Sequence, residues 1–252
     1  MGKLGGSRHL RSFAAPGFWP ILRKEYHWAP KPSPGPHPIE RSLPLLLIVR
    51  NVLGYAETSR EARKIISEGH IKIDGRVRKD YKYPVGFMDV IEITTTGEKY
   101  RFIPYPVKHF KLHPVSEDEA SFKPVRIENK TTVKGGHIQL NFHDGRNHLI
   151  KVSDPRNPVE DRYETLGTIK LGIPEQEILD YTPLEIGKLA IIVGGRNIGR
   201  VGKIVDIKRG MGRHRSIVTL ERKNGEKVQT SLNYVFVIGD EEPLISLPEE
   251  VY

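Results

Sequence analysis

The side chains of this chain that are spaced to do chemistry are cations. Arg60, Arg63 and Lys64 fall within five residues, Arg76, Arg78 and Lys79 within four, and Arg196, Arg200 and Lys203 within eight. Lys208, Arg209, Arg213 and Arg215 follow in a stretch without an acid, and Lys3, Arg8, Arg11, Arg23, Lys24, Lys31 and Arg41 face only Glu25 and Glu40 near the amino terminus. A contact with a phosphate oxygen needs only positive charge and reach, so the chemistry on offer is the holding of a polyanion. Gly210 and Gly212 add loop backbone that can approach a sugar-phosphate chain closely. Any one such group also occurs on solvated faces; their repetition along one chain points to a nucleic-acid surface.

Catalytic patterns are not met. A phosphate-cradling loop would need glycine five residues before Gly202 and a hydroxyl residue after Lys203, where the chain has Asn197 and Ile204. Gly145-Arg146-Asn147-His148 faintly echoes the Gly-Arg-Leu-Asp of pseudouridine synthases, but the position of the catalytic aspartate is His148. His109 and His113 have helical spacing, yet Pro106 and Pro114 argue against a helix, and the chain has no cysteine. No catalytic residue, metal ligand or cofactor is expected.

With 252 residues, 40 basic against 31 acidic side chains, net charge +9 and pI near 9.6, the chain has room for two or three small domains and favours a polyanionic partner. Nucleic acid is the first candidate, a membrane surface the weaker second. The apolar run Leu45 to Val49 stops at Arg50, far short of a span. The basic start lacks the apolar core of a secretory signal, so the sequon at Asn129 is read as chance.

The elements that must position these cations can be read from pattern. Thr58 and Glu61 have the spacing of a capping box, Ala62, Ile65 and Ile66 share a helix face, and Gly69 supplies a left-handed stop. Ile71 and Ile73 alternate with polar residues into the turn Asp74-Gly75, which favours a hairpin returning through Val77. Ser42 before Leu43 and Pro44 predicts a helix over 43–53. The first 41 residues, with prolines at 30, 32, 34, 36 and 38 and both tryptophans, Trp19 and Trp28, read either as a disordered tail or as a basic arm that orders against RNA. Ile138, Leu140 and Phe142 alternate, a loop at Asp144-Gly145 reverses the chain, and His148, Ile150 and Val152 alternate back. Beyond Tyr181, Leu189–Val193, the loop Gly194–Lys203, Ile204–Ile207, a turn at Asn224-Gly225 and Val235–Ile238 give a small five-strand-sized barrel.

Ser59, Arg60, Ala62, Ile66, Gly69, His70 and Gly75 resemble, in order, the S-four RNA-binding domain of ribosomal proteins, RNA-modifying enzymes and some tRNA synthetases. Gly187, Gly199, Val201, Gly202 and Ile204 resemble the KOW motif. With the segments GGSRHLRSFAAP, YPVGFMDVI and GGRNIGRVG, the whole chain resembles the archaeal and eukaryotic small-subunit ribosomal protein family S-four-e. Gly86-Phe87-Met88-Asp89 departs from the usual Pro-Gly-Asp of S-four domains in the way typical of that family.

The resemblance implies an α+β multidomain fold: an extended basic arm over 1–41, an S-four-like domain over 42–103, a mostly β middle over 104–180 and a KOW barrel over 181–252. It implies a non-catalytic constituent of the small ribosomal subunit in the cytoplasm. Its partners would be small-subunit rRNA and neighbouring ribosomal proteins, with no membrane, small-molecule substrate or homo-oligomer. The alternative is an RNA-binding factor that visits ribosomes, or an RNA-modifying enzyme.

Overall fold

The computed structural model describes residues 6–154, 156, 158–213, 215–248 and 251. The fold is mixed α/β with a mostly β body, divided into two compact units: Met1–Gly86 with Ile91–Glu98, and Phe87–Val90 with Lys99–Tyr252. The amino-terminal segment therefore shares a unit with most of the S-four-like segment, and the middle and carboxy-terminal segments share the other.

In the first unit the local signals near Thr58 are realised. Helix α1 (Ser59–Glu68) starts where the Thr58 hydroxyl accepts from the Glu61 amide and the Glu61 carboxylate accepts from the Thr58 amide, each at 3.3 Å, and it ends at Gly69, φ 88°. Hydrogen bonding from the Thr58 amide, the Thr58 side chain and the Glu57 amide holds the Glu61 carboxyl below its usual range. Because a Cβ is strained at that φ, Gly69→Ala is expected to cost about 1 kcal/mol in urea unfolding without changing RNA affinity.

Strand β1 (Ile71–Ile73) turns through Asp74 and Gly75, φ 49° and 73°, into β2 (Arg76–Val77), and pairs on its other side with β3 (Val90–Ile93) through Ile71↔Ile93 and Ile73↔Ile91. Ala62 and Ile66 of α1 and Ile71 and Ile73 of β1 are buried, but Val77 is exposed, so the return strand adds no apolar residue to the core. The predicted helix over 43–53 is corrected at its start. Ser42–Pro44 is a strand paired with Pro84–Gly86, and the chain coils only from Leu45, as a helical turn that widens into a π-helical turn over Ile48–Val52. Pro44 lacks the amide that a helix interior needs but tolerates an edge strand, and the run Leu45–Val49 is fully buried.

The amino-terminal segment folds back on itself. Leu10–Arg11 pairs with Trp28–Ala29, and the buried Trp19 donates its indole N–H to the Ser42 carbonyl at 3.0 Å.

The second unit contains the antiparallel pair β4 (Lys99–Tyr105) and β5 (His109–Pro114), the short helix α2 (Glu117–Ala120) and two five-stranded antiparallel sheets. The first sheet is built from β6 (Phe122–Thr132), β7 (Ile138–Phe142), β8 (Asn147–Ile150), β9 (Thr168–Gly172) and β10 (Ile178–Thr182), in the order β8-β7-β6-β9-β10. The second is built from β11 (Leu189–Ile192), β12 (Val201–Lys208), β13 (Ile217–Glu221), β14 (Lys227–Ser231) and β15 (Val235–Gly239), in the order β14-β13-β12-β11-β15. Val125, Ile127, Leu140, Phe142, Ile169 and Leu171 form the core of the first sheet. The second has apolar residues buried on both faces, Ile191 and Phe236 in one cluster and Ala190 and Val237 in another.

Among the described residues, Arg101, Lys123 and Arg126 are cations buried in this unit. Arg101 donates to the carbonyls of Glu119 at 2.7 Å and Phe122 at 3.1 Å, and Arg126 reaches from β6 to the carbonyls of Asn233 at 3.0 Å and Val235 at 2.8 Å. Lys123 is paired with Asp89 and lies 3.1 Å from Asp144, all three being out of solvent. Burial alone would raise the Asp144 carboxyl, but Lys123, His143 and Arg146 overcome it and hold its pKa at about 2.

Candidate nucleic-acid interface

Arg60, Arg63 and Lys64 stand on the solvent side of α1, opposite Ala62 and Ile66, because three- and four-residue steps keep each set on its own face. The Arg63 guanidinium lies over the Tyr81 ring at 4.5 Å, and Lys82 approaches the same ring at 5.5 Å. Lys64 has only a long, exposed ion pair to Glu68 at 3.9 Å. On the hairpin, Arg76 and Lys79 are exposed, while Arg78 is half-buried over the Tyr83 ring at 4.5 Å.

The basic residues of the amino-terminal segment divide into two kinds. Arg8, Arg11 and Lys24 are exposed, whereas the Arg23 guanidinium donates to the carbonyls of Ser12 at 2.9 Å, Ala15 at 3.0 Å and Pro16 at 2.7 Å. Arg23 is thereby the staple of its own segment, its donors turned inward. Arg41 is half-buried at the end of a short 3₁₀ turn, and Lys3 lies outside the described residues.

In the second unit Arg196, Lys203, Lys208, Arg209 and Arg215 are exposed. Arg200 pairs with Glu226 at 3.1 Å, and Lys208 has a loose pair with Asp206 at 3.9 Å. Arg213 pairs with Glu128 at 2.9 Å, beside Arg126. Burial would raise the Glu128 carboxyl, but Arg126 and Arg213 outweigh it and keep it ionised. The loop before β12 is shaped by Gly199, φ 79°, where a Cβ would lie 2.5 Å from the backbone at Tyr105 and Pro106. Among the described residues no group of histidines and carboxylates could hold a metal ion. The arrangement can bind phosphates; nothing in it activates a nucleophile.

Sequence reasoning did not pick out Arg50 and Lys82, which the first unit brings beside Arg8 and Arg63 around one cleft. Arg50 ends an apolar run, and Lys82 lies three residues past Lys79, beyond Asp80 and Tyr81.

Three stretches match family models: residues 4–40 the RS4NT (NUC023) domain, residues 44–91 the S4 domain and residues 96–178 the Ribosomal family S4e. The chain is similar along its length to the small ribosomal subunit protein eS4 of Staphylothermus marinus, with 70% identity over 249 residues and 99% of each chain covered. It is 66% identical over 249 residues to that of Aeropyrum pernix, covering 99% of this chain and 98% of the relative. With that of Methanocaldococcus jannaschii the identity is 51% over 247 residues, covering 98% and 100%. Among solved structures, the 30S ribosomal protein S4e from Thermoplasma acidophilum superposes with a TM-score of 0.65 at 29% identity, over 79% of this chain and 96% of that one.

Proposed function

The chain belongs to the ribosomal S4e family, and from that premise we propose that it is a structural constituent of the small ribosomal subunit, which binds rRNA and supports assembly and translation. The observation that carries this reading is 70% identity over 99% of both chains to a small ribosomal subunit protein. It is not an enzyme, and its place is the ribosome of the cytoplasm. Its partners are small-subunit rRNA and the proteins beside it there; no membrane, small-molecule substrate or second copy is part of the role.

Within that role, the exposed cations of α1, of the hairpin and of the loops around β12 hold rRNA phosphates. The carboxy-terminal sheet serves as a KOW-type barrel, a reading supported by Gly187 and Gly199 at positive φ and by Ile204 packed with Val218, Leu220 and Val228, while Val201 is buried in the cluster on the other face. The amino-terminal segment is the basic arm, supported by the exposure of Arg8, Arg11 and Lys24.

Sucrose-gradient sedimentation of cell lysate tests this reading, with the chain probed in every fraction before and after a high-salt wash. The expected result is co-migration with the small subunit at about one copy per particle, surviving the wash. A soluble peak, or loss on washing, would replace it with a factor that visits the ribosome.

A further inference from the structure

Within the first unit, between the folded-back amino-terminal segment and α1, lies a cleft of about 380 Å³. Arg8, Arg50, Arg63 and Lys82 are among its cations, Tyr26, Trp28, Tyr81 and the imidazole of His9 are its aromatic rings, and among the described residues no carboxylate lines it. We propose that this cleft holds one unpaired nucleotide of a single-stranded RNA segment, with its base stacked on Trp28 and its phosphates among Arg8, Arg50 and Arg63. The proposal rests on the RNA-binding reading above and adds to it a defined, single-stranded subsite.

The two tryptophans carry the argument. Trp19 is 3% exposed and has its indole N–H satisfied, as a core residue should, whereas Trp28 is 55% exposed in a chain segment that is otherwise tightly hydrogen-bonded. Leaving that much indole in water is unfavourable unless something covers it. The Trp28 ring is nevertheless held in place. His27 lies at 4.5 Å with its plane nearly perpendicular and His9 at 5.4 Å with its plane tilted by 51°, while the backbone of residue 28 pairs with Arg11. A ring held between neighbouring side chains and still more than half open to solvent is a stacking platform that pays little entropy on binding.

The cations are likewise set in position. Arg63 lies over Tyr81, so that ring orients a guanidinium and is not itself the open platform. Arg50 donates to Asn51 Oδ1 at 2.8 Å and to the Ser59 hydroxyl, which fixes its plane at the cleft wall. Positive charge converging without a carboxylate, beside an open aromatic face, fits a nucleotide better than it fits a simple anion, which would leave Trp28 uncovered. An RNA duplex cannot use the site, because its bases are stacked inside the helix; an unstacked base can.

The cleft has few groups to read a base edge. No Asn, Gln, Asp or Glu lines it, the Ser12 hydroxyl is turned to backbone carbonyls such as that of Arg23 at 3.1 Å, and the Ser59 hydroxyl accepts from Arg50. Recognition here is by stacking and charge, hence tolerant of base identity.

Tryptophan fluorescence of the full chain tests the proposal, because Trp19 is shielded and Trp28 reports. The probes are a single-stranded adenylate octamer, an octamer of equal charge carrying abasic spacers, and the adenylate octamer paired with its complement. The single strand should quench Trp28 emission and bind at least about fivefold more tightly than the abasic chain, with the duplex leaving emission unchanged. Trp28→Leu should weaken octamer binding about 5- to 150-fold, the range of one lost base stack. Retained Trp19 emission in that variant verifies that the segment is still folded. Equal quenching by the basic and abasic chains, or an acidic peptide that quenches as strongly as the octamer, would overturn the subsite. Intact rRNA binding without octamer quenching would overturn it alone, while loss of both would overturn the RNA-binding reading itself.

Discussion

Lys123→Met is expected to lower the stability of the second unit by about 3–5 kcal/mol at neutral pH, the cost of leaving buried charges without their partner. Lys123 sits on the central strand β6, fully buried, with Asp89 on one side and Asp144 on the other. Methionine matches the volume of the stem but supplies no charge, so two buried carboxylates would lose the ammonium they share, with Arg146 left beside Asp144 at 3.3 Å. The reverse loss is milder: Asp144→Asn still leaves Lys123 paired with Asp89. The double variant Lys123→Met/Asp144→Asn should therefore recover part of the loss, a sign of coupling rather than of two independent defects. Urea unfolding followed by far-UV circular dichroism reads the β-rich unit, and both tryptophans lie in the other, so their emission should shift little. A loss below about 1 kcal/mol in the single variant would show that the cluster contributes no more than an exposed ion pair does.

The same cluster fixes the sign of the acid response. The Asp144 carboxyl is held at about 2 in the folded chain against an ordinary 3.8, so its contribution of about 2 kcal/mol is complete above pH 4 and is lost as pH falls toward 2. In Lys123→Met the Asp144 carboxyl loses the largest of the charges that depressed it, with Arg146 left at 3.3 Å, and burial pulls it back up, so that variant gains relative stability as pH falls and that carboxyl protonates. The gap between the two proteins should thus narrow steadily from pH 7 to pH 4. A gap independent of pH would mean that the methionine fails for reasons of packing.

What could be read from the sequence follows the range of the interactions. The capping box at Thr58, the stop at Gly69, the Asp74-Gly75 turn and the β7–β8 hairpin are all settled by residues a few positions apart, and each stands in the structure where its pattern places it. The strand at Ser42–Pro44 was hidden because its partner is Pro84–Gly86, and no local signal records that pairing. Charge was misleading for the same reason. Arg23 looks like every other cation of its segment, but its three acceptors are carbonyls that approach only once the segment folds back. Arg101, Lys123 and Arg126 are indistinguishable by type from surface cations, and the partner that neutralises Lys123 lies 34 residues away. The cleft residue Arg50 was overlooked because a cluster in space need not be a cluster in sequence.

That distinction decides the second large effect. Replacing Arg60, Arg63 and Lys64 together with alanine is expected to weaken binding to small-subunit rRNA roughly 10²-fold at 100 mM salt and to lower the slope of log affinity against log salt by up to about 3. The wild-type chain should itself lose roughly 10³- to 10⁵-fold between 50 and 200 mM salt, as a protein neutralising about 6 to 10 phosphates does. The helix should survive the substitutions, because alanine favours helix, Thr58 and Glu61 still cap it, and Ala62 and Ile66 still anchor it. The largest folding cost is the Arg63 contact with Tyr81, worth about 0.5–1 kcal/mol at an exposed site. Neither Arg60 nor Arg63 has a carboxylate to satisfy, so each brings its full charge to a phosphate. Arg200, already paired with Glu226, must give up that ion pair first, and Arg200→Ala should accordingly cost less than Arg60→Ala or Arg63→Ala. Filter binding of rRNA across a salt series, with circular dichroism to verify the fold, measures all three quantities. A flat salt response would remove the phosphate-holding mechanism altogether, and an unchanged slope in the triple variant would leave the α1 face as solvated surface.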